Sequence, residues 1–334
     1  MIRIHSLTHL YPATRRQPSR VALSRFDLNV AAGEFCILSG PNGSGKSTLF
    51  RILCGMLLPT SGSVTIDGHD LFRAPKVVRR VMGVVFQSPA VDKHLTVGEN
   101  MTIQAALYGD EEEAAGVGMA EALEWTELKH RLNQRVETLS GGLARQLELA
   151  KCLLTHPRIL LLDEPTTGLD PASRRNFLDA LRNLQRERAM TVLMTTHLFS
   201  EAEEADRVVI MKDGELLACD TPQHLRSRMG QEMVVVVPTE PEVMAAALRE
   251  EMDLKPLRFG DELRLEGVEP AESLPLLEAI LSRYRPRIRS IAIKQAALED
   301  VFIHMTGSSQ AGFAKPGANG AREGQHHYTP ETEP

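Results

Sequence analysis

Two stretches of this 334-residue chain carry residue types that could do chemistry on a phosphate. In the first, Gly40-Pro41-Asn42-Gly43-Ser44-Gly45-Lys46-Ser47-Thr48, the glycines let backbone N–H groups converge on phosphate oxygens. A helix starting at Lys46 would add its positive N-terminus. The spacing fits the phosphate-loop pattern, in which Lys46 reaches the β- and γ-phosphates of a nucleotide, Ser47 ligates Mg²⁺ and Thr48 bonds the α-phosphate. The second stretch is the apolar run Ile159 to Leu162, which ends in Asp163-Glu164. A buried strand of that form delivers carboxylates to the phosphate edge: Asp163 to hold magnesium through water, and Glu164, turned elsewhere by strand alternation, to polarise an attacking water. An acidic helix cap before Pro165 is the plainer reading of the same pair. Between the two stretches, Leu139-Ser140-Gly141-Gly142 sets a hydroxyl and glycine N–H groups ahead of a helix, which is a further anion site.

The elements needed to position these groups can be read from periodicity. Ile2 to Leu10 and Leu28 to Val30 have the form of strands of an edge sheet, joined by a Pro/Arg-rich connection from Pro12 to Arg20. Glu34 to Ser39 is a short buried strand feeding the glycine loop, and Lys46 to Leu57 reads as a helix. Strands follow at Ser63 to Ile66 and Val81 to Phe86. From about residue 88 to 150 the pattern is helical and more polar, and its acidic run Asp110 to Glu113 reads as a solvated segment rather than a metal site. Ile159 to Leu162, Thr191 to Thr195 and Val208 to Met211 return as strands separated by amphipathic helices. The fold class expected is therefore α/β, a mainly parallel sheet flanked by helices, with an antiparallel edge sheet and a helical insertion, over residues 1–230.

Beyond Gly230 the register changes to strand, helix, strand, helix, strand, ending at Ile288 to Ile293, with Ala297 to Met305 an amphipathic helix capping the unit. Residues 231–307 thus form a small α+β appendage, of a size that usually needs a neighbour for stability. Residues 308–334, rich in Gly, Ala, Pro, Glu and His, read as a disordered tail, and His326-His327 within it lacks further ligands.

With 43% hydrophobic and 25% charged residues, the composition is that of an ordinary soluble globular protein. A net charge of −6 argues against a general nucleic-acid binder, which needs a basic face. No apolar run approaches the roughly 18 to 20 residues that span a bilayer, and Met1 to His5 lacks the apolar core of a secretory signal. Cys36, Cys54, Cys152 and Cys219 show no metal-ligand spacing and read as buried free thiols of a reducing cytosol. Work at a membrane would go through docking on another protein.

Phosphate loop, Ser-Gly-Gly turn and Asp-Glu strand in this order resemble the nucleotide-binding subunits of ATP-binding cassette (ABC) transporters, and the resemblance covers roughly residues 1 to 220. It implies further roles, each weak alone. Gln87 resembles the glutamine that senses magnesium and the transmembrane partner, although a lone Gln is usually a surface residue. His197 resembles the switch histidine contacting the γ-phosphate, where a capping or core histidine is the alternative. Asp170, in Gly168-Leu169-Asp170, resembles the loop that crosses between subunits, and an Asp before Pro171 is equally a helix N-cap. Tyr11 falls where the family stacks an aromatic on adenine, with Phe26 or a place in the core as the alternative because the connection that follows is long. In the family, Ser140, Gly141 and Gly142 bind the γ-phosphate of ATP held by a second subunit, so that two ATPs are sandwiched head-to-tail. Leu143 departs from the usual Gln, which removes a polar contact near the ribose of the facing nucleotide.

Leu298-Glu299-Asp300-Val301-Phe302 with Thr306-Gly307, and the phrase from Gln87-Ser88-Pro89 through Leu95 to Asn100, resemble the ATPase subunits of daunorubicin-resistance-type (type-2) exporters. That resemblance implies an ATP- and Mg²⁺-dependent ATPase, dimeric with a second copy and peripheral on the inner face of the membrane through a separate permease. A soluble ABC ATPase acting on ribosomes or DNA is the alternative. The exported substrate is not readable, because the permease determines it.

Overall fold

The computed structural model describes residues 1–14, 18–88, 90–107, 118–228, 232–295 and 297–306. The acidic run Asp110 to Glu113, Pro89, Gly230, Gly307 and the tail with His326 and His327 lie outside these residues. Strands β1 (Ile2–Tyr11) and β2 (Arg20–Val30) pair antiparallel. The sequence suggested a strand only from Leu28, but β2 starts at Arg20. Bulges hide its alternation: Ser6 and Arg25 adopt φ of 46° and 45°, and the register slips on both sides of Leu7.

Strand β3 (Phe35–Ser39), buried along its length, leads through the glycine loop into α1 (Lys46–Leu53). The helix stops four residues short of the expected Leu57, where Gly55 turns the chain at φ +69°. Then come β4 (Ser61–Ile66), β5 (His69–Asp70), α2 (Pro75–Arg80) and β6 (Met82–Val85). The expected helical stretch contains α3 (Val97–Leu107), α4 (Met119–Leu123) and α5 (Gly141–Leu153). Next are β7 (Ile159–Asp163), α6 (Pro171–Arg188), β8 (Thr191–Thr195), α7 (Phe199–Ala202), β9 (Arg207–Lys212), β10 (Glu215–Asp220) and α8 (Pro222–Ser227).

Four strands make the N-terminal antiparallel sheet, in the order β2-β1-β4-β5. Six make the central sheet, in the order β10-β9-β3-β8-β7-β6, parallel except for the β10 edge. Strand alternation splits its side chains between two cores. Leu38, Leu161, Leu193 and Met211 face α1 and the N-terminal sheet, whereas Ile37, Leu162, Met194 and Ile210 face the core shared with α5 and α6. The carboxyl ends of β3, β7 and β8 therefore open side by side, where ligands bind in such sheets.

The C-terminal part contains β11 (Glu232–Pro238), α9 (Pro241–Met252), β12 (Leu257–Phe259), β13 (Glu262–Val268), α10 (Pro270–Tyr284), β14 (Ile288–Gln295) and α11 (Leu298–Thr306). Its antiparallel order β12-β13-β11-β14 is the split βαβ arrangement of ferredoxin-like folds. One strand more is present than periodicity indicated, since three residues around Arg258 are too few to alternate visibly. Helices α9 and α10 cover one sheet face through Met244, Leu248, Ile280 and Tyr284 packed on Val234 and Val236.

The other face, with Met233 and Val235, belongs to the core cluster that includes Leu298, Val301, Phe302, Leu225 and Phe177. Helix α11 is thus more than a cap on the appendage. It fills the seam to the cassette, with the Phe302 ring 5.0 Å from that of Phe199. Polar contacts fix its first turn: the Leu298 N–H donates to Glu203 at 3.3 Å, and Asp300 pairs with Arg264 of β13. Of the four cysteines only Cys36 is fully buried, and burial raises all four thiols, Cys54 and Cys152 to about 12. They are poor nucleophiles.

Candidate active site

Local packing forces the glycine loop into its shape. A Cβ on Gly45, at φ +106°, would lie 2.5 Å from the Ala22 carbonyl, and one on Gly40 would lie 2.5 Å from the Met211 carbonyl. Only glycine fits at either place. Lys46 turns back under the loop and donates to the carbonyls of Gly40 at 2.6 Å and Pro41 at 3.1 Å. Burial lowers its pKa, and the charges of Glu164 and Asp163 oppose that shift. The Ser44 hydroxyl is buried without a protein partner, and no side chain caps the first turn of α1. Both features suit a phosphate-sized anion. The cleft over the loop has a volume of about 230 Å³ and is lined by Tyr11, Arg20, Asn42, Lys46, Thr48 and Glu164 among others.

Tyr11 stands at the cleft with its hydroxyl 3.3 Å from Thr48 Oγ1 and its ring edge-on to His9 at 4.6 Å. Arg20, which no motif singled out, donates to the Gly43 carbonyl at 2.7 Å and puts a second cation on the rim.

Opposite the loop, the carboxylates are held by the neighbouring strand. Thr195 Oγ1 donates to Asp163 Oδ1 at 2.6 Å and accepts from the Glu164 N–H at 2.9 Å. Burial raises the Asp163 pKa, with the Thr195 hydrogen bond working against it. Glu164 does not owe its direction to strand alternation. The ladder ends at Asp163, and Glu164 takes a left-handed φ of 43°, a strained geometry of the kind concentrated at functional sites. That turn brings its carboxylate to His197 Nδ1 at 3.2 Å, Gln87 Nε2 at 3.3 Å and Thr167 Oγ1 at 3.2 Å. The His197 hydrogen bond is the main cause of a lowered Glu164 pKa, and the same bond raises that of His197 above its ordinary 6.5.

The ABC transporter family profile matches residues 23–167, from β2 past Glu164. The daunorubicin/doxorubicin resistance ATP-binding protein DrrA of Streptomyces peucetius is 34% identical over 312 residues, which is 92% of each chain. The chain belongs to the ABC transporter ATP-binding family. Nod factor export ATP-binding protein I of Burkholderia orbicola is 33% identical over 88% of this chain and 94% of its own. Among solved structures, a dimeric ATP-binding cassette in a post-hydrolysis state with ADP and Pi superposes with a TM-score of 0.57 at 28% identity. It covers 66% of this chain and 98% of its own. This ABC subunit binds and hydrolyses ATP, and the alternative of a ribosome- or DNA-acting ABC ATPase is not favoured by its relatives.

Within the cassette, one group of the expected residues stands apart from the cleft. Ser140 caps α5, accepting from the Leu143 N–H at 3.3 Å, and neither it nor Gly141 or Gly142 lines the cleft. Gly142 packs against Ser173, where a Cβ would lie 2.7 Å from the hydroxyl. Leu143 packs on the central core instead of offering a polar group. Asp170 caps α6 through the N–H groups of Ala172 and Ser173, each at 3.0 Å, as the plainer reading anticipated.

A buried pair unnoticed in the sequence joins the Ser140 helix to the Gln87 loop. Arg145 donates to the carbonyls of Phe86 and Gln87, both at 2.6 Å, and pairs with Glu148 at 2.6 Å. Glu148 in turn accepts from the Ala90 N–H at 3.1 Å. The only signal was an Arg and a Glu three residues apart on an otherwise apolar helix face.

The Glu164–His197 pair has a definite pH window. Its histidine contribution to stability is complete below the unfolded value of 6.5 and is lost as pH rises through the higher folded pKa. The glutamate contribution is present above the unfolded 4.5 and is lost as pH falls through the lower folded pKa. In the nucleotide-free chain the His197 ring, followed by NMR, is expected to titrate above 6.5 and to move down in Glu164→Gln. A midpoint unchanged by that substitution would refute the coupling.

Proposed function

We propose that this ABC ATPase powers export through a separate membrane permease, as one half of a homodimer that sandwiches two ATP molecules. Supporting the dimer is the split described above: Lys46 and Glu164 line one cleft and His197 and Gln87 join it through the Glu164 carboxylate, whereas the Ser140 turn, a further anion site, is not part of that cleft lining. The phosphates of ATP would lie on Gly40 to Thr48, with adenine against Tyr11 and the ribose end near Arg20. The Ser140–Gly142 turn of a second copy, with its Asp170 loop, would close over the γ-phosphate.

Ser47, Gln87 and Asp163 supply a hydroxyl, a carboxamide and a carboxylate, a hard oxygen donor set that suits Mg²⁺ held jointly by the nucleotide phosphates. Bound there, the ion would neutralise charge building on the phosphate oxygens. Glu164 accepts a hydrogen bond from the attacking water and orients it in line. His197, whose pKa the Glu164 contact raises, holds its Nδ1 on that carboxylate and would turn its Nε2 edge to the γ-phosphate.

Residues 1–230 are read as the cassette, with a helical subdomain over about 88–150, and 231–307 as a C-terminal domain that steadies the dimer. No helix among the described residues is long and apolar enough to cross a membrane. Docking onto the permease would place the subunit on the inner face of the membrane. A cleft of about 250 Å³ beside the Gln87 loop, lined by Met56, Met82, Phe86 and Gln104, is suited to a cytoplasmic permease helix. On the same α3 surface Ile103 and Leu107 are exposed.

A mixing experiment tests the sandwich. Lys46→Ala removes the phosphate-loop cation. Ser140→Asp keeps a good N-cap but sets a carboxylate against the γ-phosphate. Each variant alone should be nearly inactive, while their mixture should regain hydrolysis, because a heterodimer rebuilds one intact site. Failure of the mixture to recover, with wild type active, would exclude the shared site.

A further inference from the structure

Behind the site, on the core side of α7, lies a carboxylate that the hydrolytic scheme does not use. Glu201 is 1% exposed. Its Oε1 accepts from Thr166 Oγ1 at 2.5 Å and its Oε2 from Thr196 Oγ1 at 2.5 Å. Arg174 Nε lies 3.6 Å from Oε1, and the same guanidinium donates to the Leu169 carbonyl at 3.3 Å. These partners sit at three strategic points. Thr166 comes two residues after Glu164, Thr196 immediately precedes His197, and Arg174 lies in the first turn of α6, its N–H donating to the Asp170 carbonyl at 2.9 Å.

We infer that Glu201 is a positioning residue for ATP hydrolysis, one buried carboxylate that pins the Glu164 loop, the His197 loop and the Asp170 turn into a single unit. The parallel ladder between β7 and β8 stops at the pair Asp163 and Thr195. Past that point no strand pairing holds the two loops in register, yet the Glu164–His197 contact of 3.2 Å depends on it. The two oxygens of Glu201 carry the cross-link onward, one to each loop, and Arg174 extends it to the turn before α6. Stability is a poor explanation for such a group, because a buried ion pair is often replaceable by apolar side chains without loss. Two fixed acceptor directions are what an apolar residue could not supply. Glu201 touches neither nucleotide nor attacking water, and it acts by keeping the base and the switch histidine aligned.

This inference rests on the hydrolytic roles proposed for Glu164 and His197. Full-chain ATPase kinetics and the affinity for a fluorescent ATP analogue test it. Glu201→Ala should lower kcat roughly tenfold to a hundredfold, the cost of a misplaced catalytic group, with nucleotide affinity unchanged. Glu201→Gln should recover most of the rate, since an amide can accept from one threonine and donate to the other. If the Ala variant fails to fold, the paired substitution Thr166→Val with Thr196→Val removes the same bonds and should also slow turnover. Wild-type kcat in the folded Ala variant or in the threonine pair overturns the inference. So does a rate loss that merely tracks lost ATP affinity and lost thermal stability. Rapid turnover in Glu164→Gln would instead overturn the reading of the site itself.

Discussion

Glu164→Gln is expected to bind ATP normally, to accumulate as an ATP-bound dimer and to hydrolyse at least about a hundredfold more slowly than wild type. The amide is isosteric and can keep the hydrogen bonds to Gln87, Thr167 and His197, so fold and cleft should survive. What it loses is the negative charge that polarises water. It also loses the charge that raises the His197 pKa, so the contact proposed between His197 and the γ-phosphate should weaken in the same variant. Size-exclusion chromatography with light scattering reads the dimer, and phosphate release reads the rate. A monomeric variant, or one with near wild-type turnover, would remove Glu164 from the role of base.

Phe302→Ala should have the largest effect on stability, about 3–5 kcal/mol, as for other large-to-small changes in closed cores. That corresponds to a fall in Tm on the order of 10 °C. Phe302 is 1% exposed and lies against Phe199, two residues after His197. If α11 only capped the appendage, calorimetry would show the appendage melting early and ATPase activity at moderate temperature intact. With α11 in the shared core, the cassette transition and the hydrolysis rate should fall together. For the same reason, removing everything after residue 230 is a poor test of whether the appendage steadies the dimer. Such a deletion also strips the cover from Phe199 and Leu225.

Lys46, Gln87, Asp163, Glu164 and His197 were legible because each follows the end of a strand whose apolar run stands out. Their order along the chain did the rest. The parallel sheet was legible for the same reason, its strands being buried on both faces and so written as continuous hydrophobic runs. What stayed hidden was set by tertiary contact. Arg20 matters only because the β1–β2 pairing brings it over Gly43, and bulges further along that pairing erase the alternation that would have marked the strand. Glu201 and the Arg145–Glu148 pair look like solvated charges in the sequence, since burial of a charge has no local signature. The direction of Glu164 came from one left-handed residue, which periodicity does not report. The Ser140 turn is different in kind, because the surface proposed to face it belongs to a second copy of the chain.

The position of α11 also constrains how this protein can be made. Phe199 and Phe302 are more than one hundred positions apart, and Phe302 lies in the last described helix. During synthesis the cassette strands emerge first and can pair, but the apolar seam over α7 and α8 stays open until α11 leaves the ribosome. Domains usually fold as units in the order they are made, and exposed seams of this kind invite aggregation. Here the core of the first-made unit stays uncovered at this seam until α11 arrives. Premature termination anywhere in the appendage should therefore yield an aggregating chain, rather than a working ATPase that lacks an accessory domain.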